Sequence, residues 1–272
     1  MQALAESTVD MNEYYLFEDI LEAQKNQGRG VPLKKYDPLI FWDGIGERWY
    51  QSFNRREKLA SSVAWIIDRL KTLKVNNVLE VGCGFGRLAP FLLDGGAINE
   101  VHGVDISPKV LSSSIEYLTP NTHYQDDIAK MKIIMSDANL PKSIKDAVKP
   151  LLEKELGKTP HGKATPPDFR DKIHLSVDDA RDLGFEDNSF DCVLTCEMLQ
   201  HLSKEDVLLA AKQIQRVSKD WIVLIERWQF PNEHSEPHIW SHDISKIFSE
   251  IGCQVLQATT VQPGLQGVIC RK

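Results

Sequence analysis

The chain reads as an α/β protein: a doubly wound, seven-stranded, mostly parallel sheet with one antiparallel strand, N-terminal helices and an inserted cap. Three observations carry that expectation. Residues 78–87, Val-Leu-Glu-Val-Gly-Cys-Gly-Phe-Gly-Arg, pass from a buried strand into a glycine turn that opens an apolar helix. Strand-like and helix-like segments then alternate to the C-terminus, the pattern of parallel strands joined by helices. The final two strand-like segments are separated only by a short turn at Pro263-Gly264. A parallel crossover needs a dozen or more residues, so this pair must be antiparallel.

Along the chain, residues 12–27 are expected to form an acidic helix that stops at Gly28-Arg-Gly30. Residues 31–46, with Pro32, Pro38, Phe41 and Trp42, read as a turn-rich link. Residues 47–73 place Trp49, Phe53, Val63, Ile66 and Leu70 on one helical face. After the first strand and its glycine turn, the next helix stops at Gly95-Gly96. His102-Gly-Val-Asp-Ile forms a second strand ending in an acid. Ser107 as N-cap and Pro108 at the first helical position start a helix over 108–118.

Residues 119–171 exceed any ordinary helix-to-strand loop. Within them 142–156 read as helical and 157–167 as irregular. The segment is expected to lie near the open strand ends as a lid or cap, or else to form surface or a contact between copies. Strands at 172–177 and 192–196 flank a turn at 187–189. Ser203 caps a helix reaching 217, with Asp206 three residues on. The continuous Ile-Val-Leu-Ile within 221–226 is a fully buried strand. Ser241 is expected to cap a helix that ends at Gly252, before strands at 254–259 and 265–271. The chain thus divides into an N-terminal helical segment, 1–74, and a main domain, 75–272.

Composition narrows the function. A chain of 272 residues with 42% hydrophobic content can bury a large core, and its net charge of −7 disfavours a broad grip on nucleic acid. Five scattered cysteines without a Cys-x-x-Cys pair read as small buried residues in a reducing compartment. No signal pattern and no membrane-length apolar run is present, so a cytoplasmic protein with no membrane partner is expected. Oligomeric state is left open.

The glycine spacing narrows the ligand. A dinucleotide fingerprint, G-x-G-x-x-G, would need glycine where Arg87 stands. Here the pattern is G-x-G-x-G over Gly82, Gly84 and Gly86, with Glu80 two residues ahead and Asp105 at the next strand tip. A glycine turn before a helix lets a ligand approach open backbone N–H groups, and an acid at the second strand tip takes the hydroxyls of a ribose.

With these motifs the chain resembles the class I S-adenosylmethionine-dependent methyltransferases, within them the type 11 methyltransferase domain. Residues 80–86 resemble that family's first motif and 104–108 its second. Residues 177–193, Val-Asp-Asp-Ala-Arg-Asp-Leu-Gly-Phe-Glu-Asp-Asn-Ser-Phe-Asp-Cys-Val, resemble its adenine-binding acid, turn and fourth strand. The resemblance spans roughly 75–228. It implies S-adenosyl-L-methionine as cofactor, held by Glu80, Gly82, Cys83, Gly84, Gly86, Asp105, Ile106, Asp179, Ala180 and Cys196, with Tyr50 as an aromatic cover. The reacting methyl would emerge near 195–197.

Glu197 and His201 are four apart, one face of a helical turn. They are the candidate catalytic pair, His201 as a general base or else a capping or core histidine. Glu226 is a candidate to bind a cationic acceptor or to orient a neighbour. His234, His238 and His242 recur every four residues, but Pro237 interrupts the run. They read as a polar rim or solvated loop, and no metal is expected. The expected activity is methyl transfer to an oxygen or nitrogen of a small-molecule acceptor. The alternatives are a protein or RNA acceptor, or a non-catalytic S-adenosylmethionine-binding partner subunit.

Overall fold

The computed structural model describes residues 14, 16, 19, 35–45, 60–114, 118, 169–228, 234–236 and 238–272. The predicted helices at 12–27 and 142–156, the cap at 119–171, and Trp49 and Tyr50 lie outside or almost wholly outside them.

Seven strands form one sheet: β1 (Asn77–Val81), β2 (Glu100–Asp105), β3 (Ile173–Val177), β4 (Phe190–Cys196), β5 (Ser218–Arg227), β8 (Gln254–Gln262) and β9 (Leu265–Arg271). Their spatial order is β3-β2-β1-β4-β5-β9-β8. The first five run parallel, and β9 is antiparallel to both β5 and β8. The turn at Pro263-Gly264 therefore does what its length required. A two-stranded ribbon of β6 (His234–Glu236) and β7 (Ile239–Trp240) was not foreseen.

Both faces of the central strands are covered, which is why they read as continuous apolar runs. Alternate residues serve opposite cores. Leu79, Val81, Val193, Ile222 and Leu224 pack with Val207, Ala210 and Ile214 of α5 (Lys204–Val217) and Phe248 of α6 (Ile244–Glu250). Val78, Cys192, Leu194, Val223 and Ile225 pack with Val63, Ile66 and Leu70 of α2 (Ala60–Leu73) and Leu92 of α3 (Ala89–Asp94). Burial of this kind, at roughly 25 cal/mol per Å² of apolar surface, is the main stabilising contribution.

Three local expectations are corrected. The supposed link at 31–46 contains a helix, α1 (Pro38–Ile45). Asp37 accepts a hydrogen bond from the Ile40 N–H at 2.9 Å, and Pro38 occupies the first turn where no amide is needed. The cap of α6 is Asp243, whose carboxylate accepts from the Lys246 N–H at 3.0 Å, while Ser241 is buried before the helix. Helix α4 (Pro108–Ser112) starts as predicted, with Ser107 Oγ accepting from Val110, but is interrupted at Ser113, after which residues 114 and 118 are again helical.

Candidate active site

The loop after β1 turns under glycine control. Gly82, Gly84 and Gly86 have φ of +75°, +59° and +77°, the left-handed region that disfavours any Cβ. A Cβ on Gly82 would overlap the Met198 side chain, and one on Gly86 would lie 2.9 Å from Leu175 Cδ1. The expectation of open N–H groups is corrected here. Gly82 and Cys83 both donate to the Val104 carbonyl, at 2.8 and 3.0 Å, and Gly84 donates to Asp105 Oδ2 at 2.9 Å. The loop is stitched to the β2 tip and leaves these amides no anion to bind.

A cavity of about 320 Å³ opens beside this loop. Of the residues singled out in sequence, Glu80, Gly82, Cys83, Gly84, Asp105, Ile106, Asp179, Ala180, Cys196, Glu197 and His201 all line it. Gly86 does not; it packs against β3 instead. Tyr50 lies outside the described residues.

Three carboxylates distinguish the cofactor side. Glu80 is 3% exposed, and burial pushes its pKa up to about 8, opposed by Arg87 and reinforced by Asp105. Its Oε2 has no hydrogen-bond partner among the described residues. Burial also raises Asp105, though the backbone N–H groups of Ser107 and Gly84 counter it. Asp105 Oδ1 accepts from the Ser107 N–H at 3.0 Å and Oδ2 from the Gly84 N–H at 2.9 Å, and the Ile106 N–H also favours the charged form. Asp179 is different. Burial would raise it, yet Arg181 outweighs burial and holds it low, with Nη2 2.7 Å from Oδ2 and Nε 3.0 Å from Oδ1. Neighbouring Asp178 accepts from the N–H groups of Asp179 and Gly184.

Beyond the β4 tip the wall changes character. Glu197 takes φ of +59°, a strained conformation for a residue with a Cβ, while its N–H donates to Ile225 at 2.7 Å. A 3₁₀ turn, Leu199–His201, follows, so Glu197 and His201 meet at the cavity through a kink and a tight turn, not one α-helical face. Glu226 holds this turn from behind. It accepts from Thr195 Oγ1 at 2.7 Å and from the N–H groups of Met198 and Gln200, both at 3.3 Å. It does not line the cavity, and its hydrogen bonds orient the neighbouring strand tip and turn. Burial pushes its pKa up to about 7 against those donors.

His201 has its tautomer fixed by geometry. Nδ1 lies 2.9 Å from the His238 carbonyl, which only accepts, so Nδ1 carries the hydrogen. Nε2 is then an acceptor, and Gln200 Nε2 donates to it at 3.3 Å. Burial lowers the pKa of His201 to about 4, so the ring is neutral at physiological pH. Trp42 of α1 meets His201 edge-on at 4.7 Å, and His238 lies parallel to it at 5.7 Å, backed by Phe41 at 4.8 Å. Sequence reasoning missed Trp42, Gln200 and Arg227 as lining residues, and its reading of His238 as a rim residue agrees with the cavity wall. Of the histidines spaced by four, His238 lines the cavity, whereas His242 Nε2 lies 3.0 Å from the Leu202 carbonyl.

The sequence pattern of the family described as "Methyltransferase domain" matches residues 50–258, about three quarters of the chain. The chain belongs to the methyltransferase-domain family. The methyltransferase takes its methyl group from S-adenosylmethionine. No protein of curated function matches it closely.

Solved structures share its fold. A SAM-dependent methyltransferase from Aquifex aeolicus has a TM-score of 0.51 at 15% identity, over 87% of this chain and 99% of its own. The DhpI–SAH complex gives 0.54 at 12% identity, over 85% and 92%. The [4+2]-cyclase SpnF gives 0.51 at 14%, over 78% and 80%. A cyclase on the same fold shows that architecture alone does not choose the chemistry, so family membership here rests on the sequence pattern. No helix among the described residues is long and apolar enough to cross a membrane.

Proposed function

We propose that this methyltransferase acts on an oxygen or nitrogen of a small molecule bound between α1 and the 198–201 turn. The observation that carries the proposal is the His201 tautomer: a half-buried imidazole in the cavity wall, beside Trp42 and His238, whose Nε2 is an acceptor taken up by the displaceable side-chain amide of Gln200. Such a wall suits a compact acceptor bearing an O–H or N–H hydrogen, not an extended polymer.

The cofactor side fits S-adenosylmethionine on two observations. Glu80 Oε2 is buried without a partner, and the glycine loop would be filled by any Cβ at Gly82. In this reading Glu80 receives the ammonium group, Asp105 and Ile106 hold the ribose, and Asp179 with Ala180 borders the adenine. Gly82, Cys83, Gly84 and Cys196 form the floor, Gly86 sets the loop's shape, and Tyr50 covers the site. When bound, the cofactor supplies a methyl carbon already activated by its sulfonium, so the protein's part is alignment. The acceptor's O–H or N–H replaces the Gln200 amide as donor to His201 Nε2, which aligns the acceptor's lone pair. Glu197, on the same wall, is the second candidate to take the acceptor's proton.

Residues 1–74 are assigned to the acceptor wall through α1, residues 75–272 to the catalytic domain, and the insertion at 119–171 to its cap. A cytoplasmic location belongs to the same proposal and is supported by five free cysteines, all buried. The test is incubation with methyl-labelled S-adenosylmethionine and a cell extract separated into small-molecule, protein and RNA fractions. Label is expected in the small-molecule fraction and should fall with His201→Ala at unchanged cofactor affinity. Label confined to protein or RNA would overturn the proposal.

A further inference from the structure

Away from the cavity, three side chains with metal-ligating atoms converge on the opposite half of β2. Glu100 and His102 are two apart on that strand and so share a face. His174 is the register partner of His102 on β3, so it joins them on the same side. Glu100 Oε1 lies 3.1 Å from His102 Nε2 and 2.9 Å from His174 Nε2, and all three donor atoms fall within 4.8 Å of one another. The two imidazoles lie 4.7 Å apart at 30°.

We propose that Glu100, His102 and His174 form a zinc-class divalent metal site that clasps edge strand β3 to β2. The chemistry of the set points that way: two imidazoles and one carboxylate are borderline ligands suited to zinc, with a fourth position left for water. The spacing agrees as well. Ligand bonds of about 2.0–2.1 Å in a tetrahedron place donors roughly 3.3 Å apart, close to the two separations observed. Both rings present Nε2, and coordination needs that lone pair, so each ring carries its hydrogen on Nδ1 when the ion is bound.

Access is open. The crossover from β3 to β4, residues 178–189, contains no helix, which leaves His174 exposed and Glu100 and His102 half-buried at this corner. No thiol competes, because all five cysteines are buried. The clasp matters because both strands end at the cofactor: β2 in Asp105, and β3 in Val177, which is paired with Asp105 and precedes Asp178 and Asp179. This departs from the sequence expectation of no metal, since the two histidines meet only when β2 and β3 pair.

The experiment is a titration of the full chain, stripped with chelator, with zinc chloride by calorimetry, and with cobalt(II) by visible absorption. One ion per chain is expected, with a rise in thermal midpoint. His102→Ala and His174→Ala should abolish binding, Glu100→Gln should weaken it at least about tenfold, and His234→Ala should leave it unchanged. Absence of saturable binding would reduce the cluster to a carboxylate between two imidazoles and overturn the proposal. Binding lost in His234→Ala but kept in His174→Ala would place the ion elsewhere and overturn it equally.

Discussion

At the scale of single residues, two side chains separate what the site needs from what the fold needs. Asp105 lines the cavity, and its two oxygens accept from the Ser107 and Gly84 amides. Asp105→Asn retains its shape but replaces one acceptor oxygen with a donor. We expect S-adenosylmethionine affinity by calorimetry to fall about 10- to 100-fold while circular dichroism is unchanged. Equal affinity in the two proteins would remove Asp105 from the ribose site. Glu197 poses the opposite case, a residue kept in the left-handed region at φ +59°. Glu197→Gly relieves roughly 1–2 kcal/mol of backbone cost but adds freedom to the unfolded chain. Urea unfolding should show stability unchanged or raised by up to about 1 kcal/mol, with methyl transfer strongly reduced. A clear loss of stability would mean that the carboxylate serves the fold.

At the scale of elements, the turn after β4 depends on Glu226. Its pKa of about 7 in the folded chain lies above the ordinary 4.5, so the native state holds an extra proton between those values. Stability from this group is therefore present at low pH and lost as pH rises through about 7. Glu226→Gln cannot titrate. The stability advantage of the wild type over this variant should shrink by on the order of 1–3 kcal/mol from pH 5 to pH 8, measured by urea midpoints at each pH. A constant difference would show that the carboxyl keeps an ordinary pKa. The comparison with the variant removes the opposing contribution of His201, whose lowered pKa makes stability rise from about pH 4 to 6.5.

Elements also show what sequence could reveal. Strands β1, β2, β4 and β5 and the acids Glu80 and Asp105 were legible because hydrophobic period and short-range glycine spacing are local signals. Helix α1 was hidden by reading 31–46, with Pro32 and Pro38, as a turn-rich link, although Asp37-Pro38 is a cap followed by a first-turn proline. The bond from His201 to the His238 carbonyl joins residues 37 apart, and no local pattern encodes it. The Arg181 clamp on Asp179 was missed for a different reason: it is close in sequence, but which of two adjacent acids it takes is set by the turn geometry.

At the scale of the whole molecule, the N-terminal helix α2 is bound into the sheet at one crowded point. Gly267 of β9 lies where a Cβ would come 2.7 Å from Trp65 Cζ2 of α2 and 2.7 Å from Val261 Cγ2. Neither an indole ring nor a strand neighbour yields cheaply. Gly267→Ala should cost about 1–3 kcal/mol, read by urea unfolding together with a shift in tryptophan emission. A neutral result would mean that α2 is loosely docked.

The distribution of sulfur offers a practical handle. Cys83 and Cys196 border the ligand space, whereas Cys192, Cys253 and Cys270 sit within the packed strands and helices, and burial keeps every one of the five protonated. An alkylating reagent followed by mass spectrometry would therefore report two separate clocks. Modification of the first pair would time the breathing of the occupied or vacant pocket, and modification of the other three would time wholesale opening of the chain.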